Sequence, residues 1–127
     1  MTDLVLFGKA ISDPTRVRIL HALMQSELCV CELVDALQIS TSTISTHLQT
    51  LRFAGVVETE KRQAWVIYRI SPRVLPTLNL ALQEFPLDRD IAGQDLHRLS
   101  RRMTLRVDGC CVIGTRQLDA QGELVDA

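Results

Sequence analysis

The chain has 127 residues, which is room for one ordinary domain and no second of typical size. Apolar residues make up 46% and charged residues 23%, so a packed core is affordable and general disorder is excluded; a net charge of −1 excludes a uniformly basic nucleic-acid coat but not a local reading head. No run approaches the roughly 20 apolar residues of a membrane span. The start, MTDLVLFGKAISD, lacks the basic residues and cleavage site of a secretory signal. The expectation is a cytoplasmic protein with no membrane contact, whose four cysteines stay reduced and serve as ligands or redox groups rather than disulfides.

In chain order, residues 4–11 form a short apolar run read as a helix. Asp13-Pro14 reads as an N-cap followed by proline at the first helical position. Val17, Leu20 and Met24, flanked by Ile19 and Leu23, carry an apolar face to about Gln25. In ELCVCELVDALQ, Cys29 takes the place of serine in a capping box closed by Glu32, and Leu33, Val34 and Leu37 face inward. Ile39-Ser40 breaks this pattern, and Ser40 or Thr41 caps a helix from about Thr41 to Ala54, with Gly55 as its stop. Residues 56–70 read as two strands around a turn at Lys61-Arg62-Gln63. Ser71-Pro72 opens a further helix with Val74, Leu78, Leu82 and Phe85 on one side, bent by Pro76 and ended by Pro86. Beyond it, Ala92, Leu96, Leu99 and Met103 have helical spacing. Arg98, Arg101, Arg102 and Arg106 read as a solvated face, residues 104–114 as extended, and residues 115–127 as mobile.

The helix at 41–54 is the most informative segment. Ile44, Leu48 and Leu51 recur at i, i+4, i+7 and define a buried stripe, while Ser42, Ser45, Thr46 and Gln49 fall on the opposite side. A recognition helix needs this division: apolar behind, small and hydrogen-bonding in front for the major groove. A surface helix with no role would favour Glu, Lys and Ala over Ser and Thr. With a hairpin directly after, the pattern predicts a mainly α fold with a small β-hairpin, a winged helix-turn-helix. Ser42, Thr43, Ser45, Thr46, Gln49 and Arg52 are the candidate DNA contacts on the helix, and Lys61 and Arg62 those at the wing tip. His47, at the edge of the buried stripe, reads as a hydrogen-bonded structural residue.

Cys29 and Cys31 form a C-x-C at a helix start, where the partial positive charge favours thiolate. Arsenite, antimonite, cadmium and lead are soft and prefer such sulfurs. Residues i and i+2 of a regular helix lie about 200° apart, so both sulfurs reach one ion only if the first turn unwinds or Cys29 stays non-helical. The bland alternative is a weak cap at Cys29 and a small buried residue at Cys31. Cys110 and Cys111 are further candidates, either as a ligand pair or as a redox switch. The three histidines show no zinc-finger spacing. A thiol enzyme such as an arsenate reductase lacks a glycine-rich loop before Cys29 and leaves residues 40–71 without a role.

Four strings, DPTRVRIL at 13–20, ELCVCELVDAL at 27–37, STISTHLQTLRFAGVV at 42–57 and WVIYRIS at 65–71, resemble the ArsR/SmtB metalloregulatory repressors, within them the arsenite-responsive group. The resemblance implies a homodimer that binds a palindromic double-stranded operator and leaves it when As(III), Sb(III) or another thiophilic ion such as cadmium, lead or zinc binds. Segments 4–11 and 72–85 would pair with the partner. It implies a domain of DNA binding and dimerisation at 1–86 and a C-terminal extension at 87–127. The chain departs from the arsenite pattern at Val34, where that group has its third cysteine, so Cys110, Cys111 of either subunit, or an external thiol would have to complete the shell.

Overall fold

Four helices of this chain begin where a short acidic or hydroxyl side chain satisfies amides that the first turn leaves orphaned. Asp3 accepts from the Leu6 N–H at 2.8 Å and opens α1 (Leu4–Ala10). Asp13 accepts from Arg16 at 3.0 Å and opens α2 (Pro14–Gln25). Ser40 accepts from Thr43 at 3.3 Å and opens α4 (Thr41–Phe53). Asp88 accepts from Asp90 and Ile91 and opens α6 (Arg89–Met103). The computed structural model describes residues 3–109 together with Cys111 and Gly114.

Between α2 and α4 lie β1 (Leu28–Cys29) and α3 (Val30–Leu37). Gln38 ends α3 in the left-handed region, its N–H bonded to the Val34 carbonyl at 2.9 Å. Gly55 follows α4 at φ 74°, a conformation open to glycine without steric cost, and lets the Val56 N–H reach back to the Leu51 carbonyl. The wing consists of β2 (Val57–Arg62) and β3 (Trp65–Ile70), antiparallel from Val57↔Ile70 to Arg62↔Trp65. Its turn is Gln63-Ala64, so Lys61 and Arg62 belong to β2 rather than to the turn. The sheet has a third member not expected from sequence. β1 pairs on the other edge of β3, Leu28 opposite Tyr68 and Cys29 opposite Ile67, giving the order β1-β3-β2.

A helix was expected from Ser71-Pro72, but α5 begins later (Leu75–Glu84). Ser71 to Val74 make a turn, with the Val74 N–H on the Ser71 carbonyl. Pro76 thereby falls in the first helical turn, where its missing N–H costs nothing. The core joins Ile19, Leu20 and Leu23 of α2, Leu33 and Leu37 of α3 and Ile44, Leu48 and Leu51 of α4 with Tyr68, Ile70, Leu78 and Leu99. Val74 and Leu78 are buried, whereas Phe85, expected beside them, is 78% exposed just past the end of α5. α6 packs against α3 more extensively than any other pair of helices in the fold. Among the described residues, no helix is long and apolar enough to cross a membrane.

Candidate functional site

α4 is divided as its sequence implies. Ile44, Leu48 and Leu51 are fully buried. Ser42, Thr43, Thr46, Gln49 and Arg52 are exposed and Ser45 half-exposed, on a helix whose Thr46 hydroxyl donates to the Ser42 carbonyl at 2.9 Å. His47 is partly buried, its Nδ1 3.3 Å from Arg16 Nη1 and its Nε2 4.0 Å from Asp13. On the wing, Lys61 is exposed. Arg62 is not a bare cation: it bonds Glu27 at 2.5 Å and Glu60 at 2.6 Å.

The cysteines converge. Cys29 is the N-cap of α3, extended at φ −89° and ψ 167°, so it escapes the helical geometry that would separate it from Cys31. Their sulfurs lie 2.8 Å apart. The third sulfur comes from the far end of the chain. After α6 the backbone turns, Leu105 and Arg106 donating to the Arg102 and Met103 carbonyls, instead of running extended. Asp108 and Gly109, at φ 52° and 74°, then reverse it and deliver Cys111. Cys111 Sγ is 3.5 Å from Cys31 Sγ, and all three sulfurs lie within 4.8 Å of one another, buried beside Ile67 and Trp65. Cys110 lies outside the described residues, as do residues 115–127.

The helix-start argument for thiolate, made for Cys29 and Cys31, fails at Cys29. Contact with the Cys31 sulfur, then burial, pushes the Cys29 thiol up from its ordinary value. Burial, then contact with Cys29, does the same to Cys111. The positive end of α3 is already taken by a carboxylate: the Cys29 N–H donates to Glu32 Oε1 at 3.1 Å, as a capping box requires.

Around the sulfurs stands a framework of arginines. Arg106 grips Glu32 with both ends of its fork, at 2.6 and 2.8 Å. Burial opposes ionisation of Glu32, but Arg106 and the Cys29 amide outweigh it and hold the carboxyl below its usual range. Arg102 is fully buried, bonds Asp35 at 2.6 Å and points Nη2 at Cys31 and Cys111 Sγ, 3.7 and 3.9 Å away. Arg98 donates to the Ala36 carbonyl at 2.7 Å and to Asp95 at 3.0 Å, and Asp95 also accepts from Nε and Nη2 of Arg18. The solvated arginine face thus survives only at Arg101, whose side of α6 is exposed. Arg98, Arg102 and Arg106 recur every four residues on the face toward α3. That spacing, set against Glu32 and Asp35, was the available signal.

Residues 13–59 match the family of bacterial regulatory proteins described as arsR. Over 75 residues the chain is 43% identical to the arsenic resistance transcriptional regulator ArsR1 of Pseudomonas putida, covering 58% of each protein. The chain belongs to the ArsR family. It is also 42% identical over 65 residues to the cadmium resistance regulatory protein CadC of Listeria innocua, covering 50% of this chain and 55% of that one. In both cases the match spans little more than half of the relative's length. The fold is similar to the homodimeric winged helix-turn-helix DNA-binding domain of Mb0332 from Mycobacterium bovis, with a TM-score of 0.62, 29% identity, and coverage of 65% of this chain and 77% of that one. The family is one of regulatory proteins and both named relatives are regulators, which tells against the arsenate reductase alternative.

Proposed function

We propose that this ArsR-family regulator is a homodimeric repressor that holds a palindromic operator through α4 and the wing, and leaves it when Cys29, Cys31 and Cys111 of one subunit capture arsenite or antimonite. The observation that carries the reading is the meeting of three buried sulfurs from two distant segments. Three sulfurs suit a trivalent metalloid, whereas zinc sites are completed by a fourth ligand or a water. The carboxylate at hand, Glu32, is 3.4 Å from Cys29 Sγ but is already bonded by Arg106. Neutral thiols also suffice for arsenous acid: three S–H groups and As(OH)3 give three S–As bonds and three waters, with no net proton released. Ser42, Thr43, Ser45, Thr46, Gln49 and Arg52 would meet the major groove, and Lys61 and Arg62 the backbone. The apolar side chains left open at Leu4, Val5 and Leu80 favour partner contact by segments 4–11 and 72–85.

A mobility-shift titration on DNA from upstream of the gene tests both halves. Arsenite should release the complex under reducing conditions, cadmium and zinc should do so far less well, and Cys29→Ser, Cys31→Ser and Cys111→Ser should each abolish release while sparing DNA binding. A Cys110→Ser variant should release normally. Loss of release in Cys110→Ser, or release intact in Cys111→Ser, would overturn the ligand set. A second reading, oxidation as the signal, is favoured by the 2.8 Å approach of Cys29 and Cys31. Release by peroxide that dithiothreitol reverses, with no effect of arsenite, would establish it instead.

A further inference from the structure

We propose that Glu27 and Arg106 are positioning residues that carry ligand capture at the sulfurs to the wing. The proposal rests on the reading that thiol capture releases DNA, and adds the route. The contacts form one continuous chain. Cys29 donates to Glu32 Oε1 from its N–H at 3.1 Å and from its thiol at 3.4 Å. Arg106 Nη2 is shared between that same Oε1 and the Glu27 carbonyl, 2.8 Å from each. The Glu27 carboxylate holds Arg62 at 2.5 Å. Three residues, Glu32, Arg106 and Glu27, thus join Cys29 to Arg62, a cation of β2.

The chemistry at one end changes what the other end feels. When Cys29 forms its S–As bond, its hydrogen leaves in water and no longer reaches Glu32. Glu32 Oε1 then leans harder on Arg106 Nη2, a donor it shares with the Glu27 carbonyl. A shift of Arg106 therefore loosens Glu27, and with it the hold on Arg62. A cavity of about 640 Å³, lined by Glu27, Arg62, Trp65, Arg106 and Cys111 among others, gives these side chains room to move. The Cys29↔Ile67 pairing is a backbone tie between the same two regions. A side-chain substitution at Glu27 cuts the ionic route and leaves that ladder intact, so the two are separable.

The experiment uses the full chain and the upstream DNA fragment. Arsenite affinity is read from the fluorescence of Trp65, the single tryptophan, which packs on the sulfurs. DNA affinity is measured with and without saturating arsenite, and their ratio is the induction ratio. Glu27→Gln should lower that ratio on the order of tenfold, within the span of ordinary coupling energies, with arsenite affinity little changed. Arg106→Lys, which keeps the charge but not the fork, should lower it similarly. Glu60→Gln removes a different partner of Arg62 and should leave the ratio intact. A wild-type ratio in both Glu27→Gln and Arg106→Lys, or an equal fall in Glu60→Gln, would overturn the route. A wild-type protein that binds DNA but ignores arsenite would overturn the function reading beneath it as well.

Discussion

α3 and α4 are neighbours in one helix-turn-helix, yet they are fixed by different physics. α4 is held from behind by Ile44, Leu48 and Leu51, with hydroxyls and an amide left to solvent in front. α3 has its apolar residues too, but it also buries Glu32 and Asp35, each locked by an arginine from α6 or the turn after it. A helix pinned mainly by apolar packing, with His47 adding a polar tie to Arg16, keeps a free face for a changing partner. A helix pinned by charge and sulfur on its second face is where a small chemical event can have leverage, because buried polar groups tolerate no unpaired state.

The sharpest way to break this contrast is at Arg102. Its side chain and that of Asp35 are 0% and 1% exposed. Burial works against the Arg102 cation, but Asp35 more than offsets it and keeps the group charged. Arg102→Ala would remove the buried cation that Asp35 bonds at 2.6 Å and should cost about 3–5 kcal/mol in urea unfolding. Arg102→Met with Asp35→Leu, which removes both charges, should recover most of that loss. Arg101→Ala, on the exposed side of the same helix, should change stability by less than about 0.5 kcal/mol.

On α4 the same scale of damage needs an apolar residue. Leu48→Ala should cost about 2–5 kcal/mol by cavity formation. Gln49→Ala, one residue along, should leave unfolding unchanged and instead weaken operator binding by about 1–3 kcal/mol, the range of a lost bidentate base contact. If Gln49→Ala weakened binding equally on unrelated DNA, the residue would be a phosphate contact and not a base reader.

Much of this arrangement was legible in the sequence. The helix starts at Asp13 and Ser40, the two faces of α4, the hairpin and the glycine stop at Gly55 all follow from local patterns, each decided within a few residues. The capping box at Cys29 was legible for the same reason. What could not be read were contacts across long separations. Cys111 lies 80 residues from Cys31, and Arg106 lies 74 from Glu32. An arginine every fourth residue looks the same whether it faces water or a neighbouring helix with matching acids. The strand at Leu28–Cys29 is two residues long and exists only because β3 has a free edge. The shift of Cys29 toward the thiol form escaped for a related reason: it comes from contact with the Cys31 sulfur and from burial, neither of which the helix-start rule takes into account.

The smallest expected effect sharpens the contrast at the start of α2, away from sulfur. The Arg16 amide, outweighing the effect of burial, helped by His47, holds the Asp13 carboxyl below its ordinary value of 3.8. The folded state therefore binds this proton less readily than the unfolded chain. The stabilisation is complete above pH 3.8 or so, and fades as pH falls through the lower, folded value. Asp13→Asn keeps an N-cap acceptor but has no proton to gain, so its urea midpoint should fall less steeply than wild type as pH drops below about 3.8, with the two curves converging at the acid end. Asp13→Ala removes the cap altogether and should be less stable by about 1 kcal/mol at neutral pH. Parallel curves for wild type and Asp13→Asn across that range would show that the cap works through hydrogen-bond geometry alone.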